Sequence, residues 1–178
     1  MVNLSFWLMP KEEHRIPLAI LIEQLSDRFQ STPFTPHVTL GSGAVPWAIA
    51  DLPAHLDPLV KTIPPLSLKT EPPQTSDRFS KTLFIPLPTT PALTYLVTSL
   101  QQTVPASLTG CNQPHISLLY KTGVDAAAIA ASLTLPLATV TFSELWAIAA
   151  PQQFESQADV QQLHCLYRGQ LGDAWQNA

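Results

Sequence analysis

Hydrophobic residues recur along this chain with two periods, and the switches between them predict its elements. Residues 2–9 alternate, with Leu4, Phe6 and Leu8 on one face and Asn3, Ser5, Trp7 and Met9 on the other, the mark of a strand with one buried side. Trp7, on the mixed face, is placed to line a cavity. After Pro10 the period lengthens. Leu18, Leu21, Ile22, Leu25 and Phe29 fall at i, i+3, i+4, i+7 and i+11 and predict an amphipathic helix over 16–29, with Pro17 in its first turn. A short strand follows at 37–40, then Gly41-Ser42-Gly43, read as a turn that could also cradle a phosphate. Apolar positions over 47–63 keep helical intervals, broken by Pro53 and Pro58, so one or two short helices are expected, with His55 on their exposed side.

Farther on, 66–70 and 80–87 alternate and are expected to pair as antiparallel strands, joined by a polar turn at 74–78. Thr89 or Thr90 caps the next helix, Pro91 takes its first position, and Leu93, Leu96, Leu100 and Val104 form its stripe. Residues 110–113 lead into a strand starting at His115. An Ala-rich helix is predicted over 124–133, and strands over 138–149 and 162–171. The last of these carries Leu163, Cys165 and Tyr167 on one face and an exposed His164 on the other. The short tail beyond Gly172 is expected to fray.

The order strand, helix, strand occurs twice, once from the N-terminus and once from about Ser80. This is a duplication of element order rather than of sequence. It predicts an α+β protein, one bilobal domain over 1–178, built of two pseudo-symmetric lobes.

The strands that end the two repeats share a motif. One reads Pro36-His37-Val38-Thr39-Leu40, the other Pro114-His115-Ile116-Ser117-Leu118. The β-branched middle residue favours an extended backbone, and a proline without an amide proton suits a strand start. Alternation then puts His37 with Thr39, and His115 with Ser117, on faces opposite the core. His14, His55 and His164 lack the pattern. Two imidazole–hydroxyl pairs facing one cleft suit general acid–base chemistry at phosphorus. One neutral imidazole takes a proton from water, one charged imidazole protonates a leaving oxygen, and the hydroxyls hydrogen-bond the phosphoryl oxygens. No metal is required, and no carboxylate cluster suits two-metal catalysis. A cyclic phosphate, opened in line between the two rings, is the natural substrate.

Composition narrows the partners. The 178 residues are 46% hydrophobic and 12% charged, with 18 prolines, enough for a core with many short elements. A net charge of −4 argues against long nucleic acids, which need a basic surface. Cys111 and Cys165 are the only cysteines. They are expected as buried or free thiols in a reducing cytoplasm rather than as a disulfide framework or zinc site. No stretch reaches membrane-spanning length, and the run from Val2 to Met9 is too short for a signal peptide.

The paired motifs resemble the signature of the 2H phosphoesterase superfamily, and within it the chain is most similar to the cyclic phosphodiesterase family. Ser5-Phe6-Trp7-Leu8-Met9-Pro10, Leu118-Leu119-Tyr120 and Glu144-Leu145-Trp146 add to the likeness. The resemblance implies a bilobal α+β fold with antiparallel sheets around a central cleft and helices outside. It implies metal- and cofactor-free opening of 2′,3′-cyclic nucleotides to nucleoside 2′-phosphates, or of ADP-ribose 1″,2″-cyclic phosphate, by a monomer. His37 and His115 would be catalytic, His115 activating water and His37 protonating the leaving oxygen. Thr39, Ser117, Tyr120 and Trp7 would bind substrate. Strict alternation puts Tyr120 on the face opposite His115, so it reaches the cleft only if the strand twists or ends first. Lys121, on the His face, reads as a solvated strand end. The alternatives are an RNA end-processing, 2′-5′ ligase-like member of the superfamily, and a nucleotide-binding module without catalysis.

Overall fold

The structure is a computed structural model and describes residues 1–105, 108–110 and 113–172. In chain order the elements are β1 (Val2–Pro10), α1 (Glu12–Phe29), β2 (Val38–Val45), α2 (Leu52–Thr62), β3 (Leu66–Lys69), β4 (Gln74–Thr75), β5 (Leu83–Pro86), α3 (Pro91–Thr103), β6 (Thr109–Gly110), β7 (His115–Leu119), α4 (Ala126–Ser132), β8 (Thr139–Ala149), α5 (Gln157–Gln161) and β9 (His164–Gln170). The fold is α+β, with two antiparallel sheets. The larger runs β3-β8-β1-β2-β6, with β9 also on β8, and the smaller runs β4-β5-β7.

The predicted duplication is present: β1-α1-β2 and β5-α3-β7 each place a helix between two strands that pair antiparallel. Their apolar faces meet in one core. Phe6, Leu8, Val38 and Leu40 come from the first repeat, Leu83, Ile85, Ile116 and Leu118 from the second, and Leu18, Ile22, Leu96 and Leu100 from the helices between.

Helix α1 starts at Glu12, four residues earlier than its apolar stripe suggests, so Pro17 lies inside the helix and not in its first turn. Glu12 and Glu13 in the first turn and Arg28 near the end complement the helix dipole. The stripe is buried as expected at Leu18, Ile22 and Leu25. On α3, the Thr90 hydroxyl accepts from the Leu93 amide at 3.2 Å, with Pro91 at the first helical position. Helix α2 is a single helix despite Pro58, and His55 is exposed on it, stacked on Trp47.

Three expectations fail for reasons of pairing. Residues 66–69 do not pair with 83–86. They take the edge of β8 instead, Leu66 opposite Phe142 and Lys69 opposite Thr139, while β5 lies in the other sheet against β4 and β7. Gly41-Ser42-Gly43 is not a turn. It continues β2, with Gly41 opposite Phe6, Ser42 opposite Ser5 and Gly43 opposite Leu4. The strand expected from Ser80 begins only at Leu83, after a 3-10 turn over Phe79–Lys81. Cys165 is an exposed free thiol. Cys111 and the tail expected to fray lie outside the described residues. Among the described residues, no helix is long and apolar enough to cross a membrane.

Candidate active site

Each motif strand carries an irregularity at the same place. Between β1 and β2 the register jumps from Phe6 opposite Gly41 to Trp7 opposite Thr39, leaving Leu40 as the extra residue. Between β5 and β7 it jumps from Leu83 opposite Leu119 to Phe84 opposite Ser117, leaving Leu118 extra. A bulge of this kind lets two successive side chains share a face and re-aims those that follow. Leu118 and Leu119 are accordingly both in the core, and Tyr120 returns to the side of His115 and Ser117. In β2 the same shift turns Ser42 to the side of His37 and Thr39. The two halves thus present His37, Thr39 and Ser42, and His115, Ser117 and Tyr120, to one cavity of about 750 Å³. The bulge resolves the alternation problem at Tyr120.

Both histidines are anchored alike. Nδ1 of His37 lies 2.7 Å from the backbone oxygen of Thr35, and Nδ1 of His115 lies 2.7 Å from that of Gln113. A carbonyl oxygen only accepts, so in each ring Nδ1 carries the proton and donates it. Nε2 of each neutral ring is then an unprotonated lone pair.

Their surroundings differ. His37 is only 5% exposed. Its ring is stacked on Trp7, centroids 3.5 Å apart and planes 5° from parallel. The Trp7 indole N–H donates to the Ser5 hydroxyl at 2.8 Å, and the Ser42 hydroxyl also donates to Ser5, at 3.0 Å. Burial pushes the His37 pKa down to about 4, outweighing the Thr35 carbonyl, which stabilises the charged ring; the charge of His115 adds to the lowering. The two imidazoles are therefore near enough to sense one another. His115 is less buried and meets Phe84 edge-on, centroids 5.3 Å apart. Its pKa is also lowered, chiefly by burial and further by the positive charge of Lys81, against the Gln113 carbonyl. The supporting aromatics match across the pseudo-symmetry: Trp7 is opposite Thr39, as Phe84 is opposite Ser117.

The Ser117 hydroxyl donates to the Ser80 backbone oxygen at 2.8 Å. To serve a phosphoryl oxygen it must rotate off Ser80. Tyr120 is 4% exposed, stacked on Phe34 with centroids 3.6 Å apart, and burial raises its phenol pKa despite a hydrogen bond with Ser117. It stays protonated. Lys121 is not on the cavity wall; its ammonium reaches the Gln30 carbonyl at 3.4 Å.

The sequence matches no protein-family model and no curated protein. Solved structures do resemble the chain. Escherichia coli LigT complexed with 3′-AMP superposes with a TM-score of 0.55 at 14% identity, over 97% of this chain and 99% of that one. LigT in its apo form gives 0.53 at 18% identity, over 97% and 98%. A protein described as a phosphoesterase gives 0.52 at 16%, over 97% and 100%. The chain has the 2H phosphoesterase fold.

Within this 2H fold, the six residues singled out from sequence all line the one cavity: Trp7, His37, Thr39, His115, Ser117 and Tyr120. Sequence reasoning missed Ser5, Arg78, Ser80 and Lys81, which line it too, and offered Ser42 and Gly43, also on the wall, only as part of a loop that could cradle a phosphate. The available signal was positional. Residues 78–81 lead into β5, the counterpart of β1, and so had to approach the second motif. Among the described residues, no three His, Cys, Asp or Glu side chains converge as metal ligands would.

Proposed function

We propose that the cavity hydrolyses small cyclic phosphodiesters, opening 2′,3′-cyclic nucleotides to nucleoside 2′-phosphates without a metal or cofactor. The observation that carries this reading is the pair of Nδ1-anchored imidazoles, one from each half, with Thr39 and Ser117 beside them in one cavity. A neighbour of the same fold supports it: E. coli LigT has been crystallised with 3′-AMP, with phosphate and with ATP.

In the reaction, a water oxygen attacks phosphorus while one neutral imidazole takes its proton at Nε2. The bond from phosphorus to the 3′ oxygen breaks, its electron pair stays on that oxygen, and the other ring donates its Nε2 proton there. The rings exchange protonation states and solvent restores them. We assign the base to His37 and the acid to His115, the reverse of the division that the resemblance implies. His37 is the more deeply buried ring and gives up its proton more readily, so it enters the reaction neutral. Thr39 and, after rotation, Ser117 hydrogen-bond the non-bridging oxygens, where negative charge is held. Trp7 and Tyr120 contribute the ring surfaces nearest the sugar and base.

The test is turnover of adenosine 2′,3′-cyclic phosphate in excess EDTA, with loss of activity on the order of 10²-fold or more in His37→Ala and in His115→Ala. Activity that persists in the double variant defeats the reading. A diester with a p-nitrophenolate leaving group divides the roles, because that group departs without a proton. His115→Ala should retain activity on it and His37→Ala should not. A cyclic-ended oligonucleotide in the same assay weighs the RNA-processing alternative; a strong preference for it favours that reading.

A further inference from the structure

A side chain from outside both repeats joins the two motifs. Gln157 opens α5, the five-residue helix held by the Ser156–Asp159 capping box. Its carboxamide oxygen accepts from the Thr32 backbone amide at 2.6 Å, and its carboxamide nitrogen donates to the Tyr120 backbone oxygen at 2.6 Å. A backbone amide only donates and a carbonyl only accepts, so the partners fix the orientation of the group. Thr32 lies on the stretch that runs from α1 into the first motif, and Tyr120 follows the second. Residues 32–36 belong to no helix or strand. Among the described residues, the Gln157 bond is the one that ties their backbone to a segment distant in sequence. That stretch carries two parts of the site. Phe34 stacks on the Tyr120 ring, centroids 3.6 Å apart, and meets His37 edge-on at 6.5 Å. The Thr35 carbonyl holds Nδ1 of His37 at 2.7 Å. On the other side, Tyr120 hydrogen-bonds Ser117. Val160, three residues beyond Gln157 and so on the same face of α5, is buried with Phe79 and Tyr120. The helix that presents Gln157 is thus itself seated on the second motif.

We propose that Gln157 is a positioning residue for the proposed reaction, setting His37 on one side of the cavity and Tyr120 with Ser117 on the other through its two backbone bonds. This rests on the functional reading above and goes beyond it, since Gln157 is not on the cavity wall and acts only through the residues that are. The pairing asks for a donor and an acceptor on one side chain of this length. A methionine has the length and makes neither bond. A glutamate keeps the bond from Thr32, but when ionised sets an oxygen against the Tyr120 carbonyl; once protonated it donates there as the carboxamide does.

The test compares the wild type, Gln157→Met and Gln157→Glu on adenosine 2′,3′-cyclic phosphate, with thermal denaturation of each. In Gln157→Met kcat should fall on the order of tenfold to a hundredfold, with KM changed by less than about twofold. In Gln157→Glu the ratio of kcat to that of the wild type should be as low at neutral pH, and should climb towards unity as the introduced carboxyl takes up a proton on the acid side. An unchanged kcat in both variants, whatever their melting temperatures, overturns the proposal and leaves Gln157 a brace of the fold. So does a ratio for Gln157→Glu that stays low and flat with pH. Should Gln157→Met fail to fold, the pH series of Gln157→Glu decides alone. A second readout needs no turnover. The Nδ1 proton of His37, slowed in exchange by its bond to Thr35, should give an NMR signal in the wild type that is lost to exchange in Gln157→Glu at neutral pH; its persistence there overturns the positioning role. Absence of turnover in the wild type refutes the hydrolase reading, whereas the NMR comparison still decides whether Gln157 holds His37.

Discussion

At the scale of the residue, the decisive property is the low proton affinity of two imidazoles, His37 buried and His115 partly so. His37 is protonated only near and below a pKa of about 4. His115 sheds its proton below the ordinary value of 6.5. The proposed reaction needs one ring neutral and the other charged. Activity is lost as pH falls through the His37 value, and lost again as pH rises through that of His115. The kcat/KM profile for adenosine 2′,3′-cyclic phosphate is therefore expected to be a bell with its maximum on the acid side of neutrality, and a maximum on the alkaline side would contradict it. The same burial couples to folding. Between pH 6.5 and 4 the unfolded chain takes up a proton at residue 37 and the folded one does not. The stability that this group contributes is thus complete above 6.5 and declines as pH falls to about 4. The decline is about 3 kcal/mol for a shift of this size. Denaturant titrations of His37→Asn at both ends of that window should show a correspondingly smaller drop than the wild type.

At the scale of the element, the bulges at Leu40 and Leu118 decide which side chains reach the cavity. His37 with Thr39 and His115 with Ser117 were legible because each pair is separated by one residue, and two-residue alternation holds over that span. Tyr120 and Ser42 lie beyond the bulges, where alternation assigns them wrongly, and nothing local in Leu118-Leu119 or Leu40-Gly41 reports an extra residue. The partner of β3 was illegible for a related reason. Leu66 and Leu68 satisfy the alternation of any half-buried strand, and only the tertiary arrangement selects β8 over β5. Short α5 escaped notice as well, since five residues held by the Ser156–Asp159 capping box carry no hydrophobic period. Where β9 ends, close packing sets a firm limit. The Gly172 amide donates to the Val60 carbonyl at 2.9 Å, and a Cβ there would run into the backbone oxygen of Lys61. Gly172→Ala must push the end of β9 away from α2, and thermal denaturation should show a loss of about 1–3 kcal/mol.

At the scale of the whole molecule, charge is segregated in a way that makes rate depend on salt. The chain as a whole is at −4, which would repel the proposed anionic substrate from most of the surface, while Arg78 and Lys81 stand on a cavity wall to which, among the described residues, no carboxylate contributes. Field lines from a low-dielectric concavity reach outward, so the approach of an anion is guided towards the side of His115. Added salt weakens that guidance, because the screening length falls from about 30 Å at 0.01 M to about 8 Å at 0.15 M. Capture of substrate is the step exposed to solvent; the proposed proton transfers involve a buried His37 and a partly buried His115 and are screened far less. The expected result is a fall in kcat/KM of several-fold over that range of ionic strength, with kcat nearly constant. The fall should be steeper for a bisphosphate cyclic substrate than for the monophosphate, and shallower in Arg78→Gln, whose side chain is the more exposed of the two cations. A kcat/KM indifferent to salt in the wild type would mean that the cationic wall exerts no pull beyond the cavity mouth.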